Sequence, residues 1–163
     1  MSLAPLDTAE AALLWKRYAT AFPEAARTAP DYTTERFGDS ARLADELLGL
    51  VLDGTKRATA SLLRDSDPVE NPLPRIGSHW IVCDSTGTPR AVLRTTELRI
   101  GPFHSVDDAF AHDEGEDDRT RDSWLTEHRR YFERRCAALN TPWSEELEVL
   151  FERFTVAFPP PSA

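Results

Sequence analysis

The chain has 163 residues, enough for about one domain with a sizeable core, and its 40% hydrophobic and 29% charged content is that of a soluble globular protein. A net charge of −9 argues against a general polyanion binder, because non-specific nucleic-acid affinity comes from neutralising phosphates. Any nucleic-acid-related substrate must be small or must meet a local basic patch. No apolar run approaches the roughly 20 residues that span a bilayer, and the N-terminus lacks the basic and apolar regions of a signal peptide. Cys83 and Cys136 have neither metal-ligand nor redox-motif spacing. Reduced thiols, a cytoplasmic location and no membrane partner are expected.

In chain order, residues 8–22 predict a helix with Asp7 or Thr8 as N-cap and Leu14, Trp15, Tyr18 and Phe22 as a stripe. Residues 22–38 contain two prolines and read as a loop with some helical turn. A second helix at 40–53 puts Leu43, Leu47, Leu50 and Val51 on one face, with Gly54 as its C′ residue. A polar loop at 64–78 precedes two β-rich runs, HWIVCD and RAVLRTTELRI, joined as a hairpin by STGTP. A short capped helix then runs into an acidic loop, followed by a helix at 120–138 with Trp124, His128, Phe132 and Cys136 at helical spacing. Residues 147–158 alternate as a closing strand whose parity changes near Glu152, which suggests a bulge. The tail, 159–163, is expected to fray. The order predicts an α+β domain around a small, partly closed sheet.

Two stretches carry candidate chemistry. The first is Gly54-Thr55-Lys56-Arg57-Ala58-Thr59-Ala60-Ser61. Lys16 and Lys56 are the only lysines, and the other seventeen of the nineteen basic residues are arginine. Only lysine can be tuned by desolvation into a base or nucleophile, since arginine stays charged. An irregular turn at 56–58 would let Lys56 and Thr59 converge on one pocket. The alternative is a solvated cation beyond a helix C-terminus. The second stretch is AHDEGEDDRT, 111–120, where Asp117 and Asp118 suit a helix N-terminus. Glu114 and Glu116 flank Gly115, whose freedom could aim a carboxylate inward towards Lys56. The histidines at 79, 104, 112 and 128 are scattered, and His128 on a helix face reads as a packed residue rather than a ligand.

LVLDGTKRATASLL, GSHWIVCDSTGTPRAVLRTTELRI, PFHSVDDAFAHDEGEDDRTRDSWLTEHRRYF and EVLFERFTVAF together resemble the ASCH-domain family of the PUA-like superfamily, in the family's order, over residues 40–158. The resemblance implies a small mixed PUA-like β-barrel with flanking helices, an ASCH domain at 40–158, and a helix and connecting loop at 1–39 packing on it. The family pattern G-x-K-x-x-E-x-R falls on Gly54, Lys56, Thr59 and Ser61, with threonine in place of glutamate and serine in place of arginine. Small bacterial ASCH enzymes that deacylate N(4)-acetylcytidine carry G-x-K-x-x-T. By that likeness Lys56, Thr59 and Glu116 are the catalytic candidates, with Glu114 the alternative to Glu116. Gly54, Arg57, Ser61, Arg64, Glu97, Glu114 and Trp124 are the substrate-binding candidates, Trp80 and Trp124 as surfaces on which a base could stack. Such chemistry needs neither metal nor cofactor.

The resemblance also carries a rival, an RNA-binding protein or single-strand ribonuclease. Its groove would draw on Arg57, Arg64, Arg75, Arg94, Arg119 and Arg121 and on Arg129, Arg130, Arg134 and Arg135 of the long helix. A third reading is a non-catalytic regulator binding a small ligand. The partner is accordingly a small nucleoside-like ligand or single-stranded RNA.

Overall fold

The computed structural model describes residues 2–66, 69 and 71–160. The expected loop at 64–78 and tail at 159–163 therefore lie partly outside the described residues, at 67, 68, 70 and 161–163. The helices are α1 (Thr8–Ala21), α2 (Pro23–Thr28), α3 (Ala41–Leu52), α4 (Asp108–Glu114) and α5 (Arg121–Ala138). The strands are β1 (Tyr32–Glu35), β2 (Ala58–Leu62), β3 (His79–Cys83), β4 (Pro89–Pro102) and β5 (Glu148–Phe158). They form one mixed sheet in the order β1-β3-β4-β5-β2. The α+β class is as expected. The sheet is open rather than a closed barrel, with β1 and β2 at its edges. No helix among the described residues is long and apolar enough to cross a membrane.

Caps fix the helix starts. Asp7 accepts the Glu10 N–H, Ser40 the Leu43 N–H, Asp107 the Phe110 N–H and Thr120 the Ser123 N–H, each satisfying an amide the helix leaves without a partner. Two expectations change. Part of the 22–38 loop is β1, a four-residue strand paired in parallel with β3 from Tyr32 opposite His79 to Glu35 opposite Val82. So short a strand is fixed by its neighbour rather than by any alternation of its own. Strand β5 pairs with β2 in unbroken register from Val149 to Arg153, so no bulge interrupts that pairing at Glu152. The parity change has another cause. Val149 and Phe151 join one hydrophobic core, whereas Phe154 and Val156 join another.

The chain divides into two compact units. The first comprises Met1–Gly54, Pro74–Thr96 and Phe154–Ala163. Its β3–β4 hairpin is covered on both faces, which is why every residue of β3 is buried. Ile81 and Val92 meet Ala11, Leu14 and Tyr18 of α1, while Trp80, Val82 and Leu93 meet Leu47, Leu48 and Val51 of α3. His79 is fixed between the Tyr18 hydroxyl, 2.8 Å from Nε2, and the Ala29 carbonyl, 3.1 Å from Nδ1. Burial keeps its imidazole below the usual histidine pKa.

The second unit comprises Thr55–Leu73 and Glu97–Arg153. Its core is aromatic: Phe103, Phe110, Trp124, Phe132 and Phe151 pack with Ala58, Leu62 and Val149. Phe110 meets Phe151 edge-on at 5.0 Å between centroids, a favoured arrangement of ring quadrupoles. Helix α5 lays Trp124, His128, Phe132 and Cys136 along its buried stripe. Lys56, Glu114, Glu116 and His128 all belong to this unit.

Candidate active site

Helix α4 stops at Gly115, whose φ of 73° is left-handed. A Cβ there would lie 2.6 Å from the Thr55 carbonyl oxygen and 3.0 Å from the Lys56 Cα. Only glycine fits both the conformation and the close approach. The Arg57 N–H reaches the Asp113 carbonyl at 2.7 Å, so residues 55–57 and 113–115 run against one another. This contact delivers the two glutamates flanking Gly115 to a single lysine.

Lys56 is 2% exposed. Its ammonium donates to Glu116 Oε1 at 2.8 Å, Glu114 Oε1 at 3.3 Å and the Glu114 carbonyl at 3.4 Å. Glu114 is as deeply buried as the lysine, while the Glu116 side chain retains 22% exposure. Glu116 is thus the end of the triad that meets solvent. Behind Glu114 stand Trp124, whose indole N–H donates to Oε2, and His128, whose Nε2 lies 3.0 Å from Oε2.

The electrostatics correct one expectation. Burial alone would lower the Lys56 pKa, but the Glu114 and Glu116 carboxylates outweigh it and hold the ammonium above its ordinary value. Lys56 at rest is therefore a fixed cation, not a neutral amine. Burial would likewise raise Glu114, but the charges of His128 and Lys56 hold it well below the usual carboxylate range, down to about 2. His128 is raised despite burial because Glu114 faces it. The lysine and imidazolium charges balance the two carboxylates, the condition under which a buried ion cluster is tolerable.

Glu114, Glu116 and His128 each offer a donor atom within 4.8 Å of the others, a spacing that could hold a metal ion. The Lys56 ammonium lies against both carboxylates, 2.8 Å from one and 3.3 Å from the other. A divalent ion would have to compete with that charge.

The remaining candidates divide. Trp124 is 4% exposed, and the His128 ring stacks on its face at 4.0 Å. It supports the carboxylate and offers no open face to a base. Trp80 is equally a core residue. Arg57 and Glu97 belong to a neighbouring chain of charges: Arg57 pairs with Asp113 at 2.8 Å, Asp113 with Arg153 at 3.0 Å, and Arg153 with Glu97 at 3.1 Å. Thr59 lies opposite Glu152 in the β2–β5 ladder. Ala58, Ala60 and Leu62 face the aromatic core, so Thr59 and Ser61 point to the other side of the strand. The structure gives Thr59 no hydrogen bond to the Lys56 cluster. Ser61 and Arg64 are exposed, and Gly54, at φ 87°, closes α3 through its N–H to the Val51 carbonyl. His128, Asp113 and Arg153 were missed by sequence reasoning. The one available signal was the four-residue spacing of Trp124 and His128 on a helix whose partner loop holds the glutamates.

The arginines proposed for an RNA groove are largely engaged. Arg129 pairs with Glu145, Arg130 with Glu127 and Arg135 with Asp65. Arg121 donates to the Val106 and His104 carbonyls, and Arg119 to the His112 carbonyl.

Residues 33–157 match the ASCH domain family, and the chain belongs to it. A crystal structure of an ASCH domain from Lactobacillus crispatus JV V101 superposes with a TM-score of 0.83 at 25% identity, covering 91% of this chain and 94% of that one. A protein from Enterococcus faecalis V583 superposes with a TM-score of 0.79 at 28% identity, covering 91% of this chain and 88% of that one. No curated protein matches the chain.

Proposed function

We propose that this ASCH protein is a hydrolase of small amides of the N(4)-acylated cytidine type, with Glu116 as the proton-transfer group and Lys56 as its electrostatic partner. The observation that carries the reading is the 2.8 Å contact between a buried ammonium and the one partly exposed carboxylate of the triad. In this scheme Glu116 takes a proton from water as its oxygen attacks the acyl carbon. The C–O bond forms, and negative charge develops on the carbonyl oxygen. Protonation of Glu116 removes its charge and frees a Lys56 N–H to donate to that oxyanion. The C–N bond then breaks, and Glu116 returns the proton to the leaving amine. Water rather than Thr59 is the nucleophile in this reading, because Thr59 points away from the aromatic core and lacks a hydrogen bond to the cluster. A neutral nucleoside suits a chain of net charge −9 better than a polyanion does, and the paired arginines of α5 weigh the same way.

The test is turnover of N(4)-acetylcytidine, followed by chromatography, for the wild type, Glu116→Gln and Lys56→Met. Cytidine and acetate should form with the wild type and fall about a hundredfold or more in Glu116→Gln. Absence of wild-type turnover at high enzyme concentration would reject this substrate class. Stabilisation by the nucleoside without product would then favour a ligand-binding regulator, and RNA affinity that falls steeply with salt would favour the RNA reading.

A further inference from the structure

The proposed chemistry leaves His128 unused, although it is one of the few buried polar residues of the chain. Its Nδ1 lies 3.0 Å from the Trp124 carbonyl oxygen, and its Nε2 lies 3.2 and 3.0 Å from the two oxygens of Glu114. Both partners are acceptors, so both ring nitrogens must carry a proton for the contacts to be hydrogen bonds. That state is the imidazolium, and it stacks on the Trp124 ring at an interplanar angle of 11°, where the ring face favours a cation.

Glu114 is thereby gripped from behind. One oxygen faces both His128 and the Trp124 indole N–H, and the other is shared between His128 and Lys56. Trp124 and His128 stand one turn apart on α5, so a single helix face presents both groups. Glu114 in turn supplies Lys56 with two acceptors, its carboxylate and its carbonyl, and directs the ammonium at Glu116. We propose that His128 and Trp124 clamp Glu114 and so hold Lys56 in its buried position, making His128 a positioning residue of the site. The catalytic sense of the word rests on the preceding reading, but the clamp itself can be tested without turnover.

The two-lysine composition provides the assay. Lys16 is exposed on α1 and Lys56 is buried, so each molecule carries its own reference. Amine acetylation with limiting acetic anhydride, read by peptide mass spectrometry, gives the Lys56/Lys16 labelling ratio. The comparison is between wild type, His128→Gln, His128→Leu and the core control Phe132→Leu, with folding checked by near-UV circular dichroism. In His128→Gln, which is close in size and keeps a donor but not the charge, the ratio should rise about tenfold as local opening becomes easier. It should rise further in His128→Leu and stay near wild type in Phe132→Leu. An unchanged ratio in the folded His128→Gln variant, or an equal rise in Phe132→Leu, would overturn the clamp. His128→Gln decides the matter if His128→Leu does not fold. The labelling ratio judges this proposal alone, and turnover of N(4)-acetylcytidine judges the reading before it.

Discussion

Lys56 and Arg57 are consecutive, and so are their partners, Glu114 and Asp113, taken in reverse. The lysine pair has side chains only 1% and 2% exposed, and the arginine pair 55% and 24%. The same charges thus meet in two settings. Near the surface, water screens the Arg57–Asp113 attraction and would solvate either partner left alone. In the interior, removing either Lys56 or Glu114 leaves the other charge buried without its counter-charge, at a far larger cost. Residue type follows setting. The Arg57 guanidinium reaches Asp113 through one N–H group at the rim, whereas the compact Lys56 ammonium meets three acceptors in the interior.

The contrast can be broken at its deep end first. Glu114→Ala leaves the Lys56 and His128 cations facing one carboxylate, and should lower stability by about 3–5 kcal/mol in urea unfolding. A loss no greater than that of Arg57→Ala would erase the distinction between the two pairs. Gly115→Ala should come next, at about 1–3 kcal/mol, because the new methyl meets the Thr55 carbonyl at 2.6 Å. In that variant the Lys56 labelling should also increase.

Acid and base should both weaken the buried cluster, each through a different group. The Glu114 pKa is depressed, so its contribution to stability is fully present above the ordinary value of 4.5 and disappears as the pH falls towards about 2. The His128 pKa is raised, so its contribution is fully present below 6.5 and is lost as the pH rises through the folded-state value. Thermal melts across pH should therefore show both arms, and His128→Gln should flatten the alkaline one. At the small end, Arg57→Ala should cost under about 1 kcal/mol and weaken further with added salt. A larger effect would mean that the rim pair shares the interior's character.

Much of this arrangement could be read from residue order. The family pattern and the arginine bias singled out Lys56, and Gly115 between two glutamates signalled a turn able to aim carboxylates. The helices were legible because their stripes and caps are local. Strand β1 was not, since three half-buried residues and one exposed one acquire a strand's identity only by pairing with β3. The sign of the Lys56 shift was equally hidden: burial and counter-charge act in opposite directions, and only distances decide between them. His128 looked like packing because its partner lies on another element, 14 residues earlier in the chain.

The contact between Lys56 and Glu114 spans 58 residues of sequence. Closing a loop of that length costs roughly 3–4 kcal/mol of chain entropy, which no local segment can offset. The lysine contact therefore forms only with the long-range fold, unlike the contacts of Glu114 with Trp124 and His128, 10 and 14 residues away. A polypeptide ending before α4 has the lysine without its acids, and during synthesis the site arises only after that helix has emerged and docked. Any activity of the site should return on refolding together with the cooperative signal of the second unit, at the same rate.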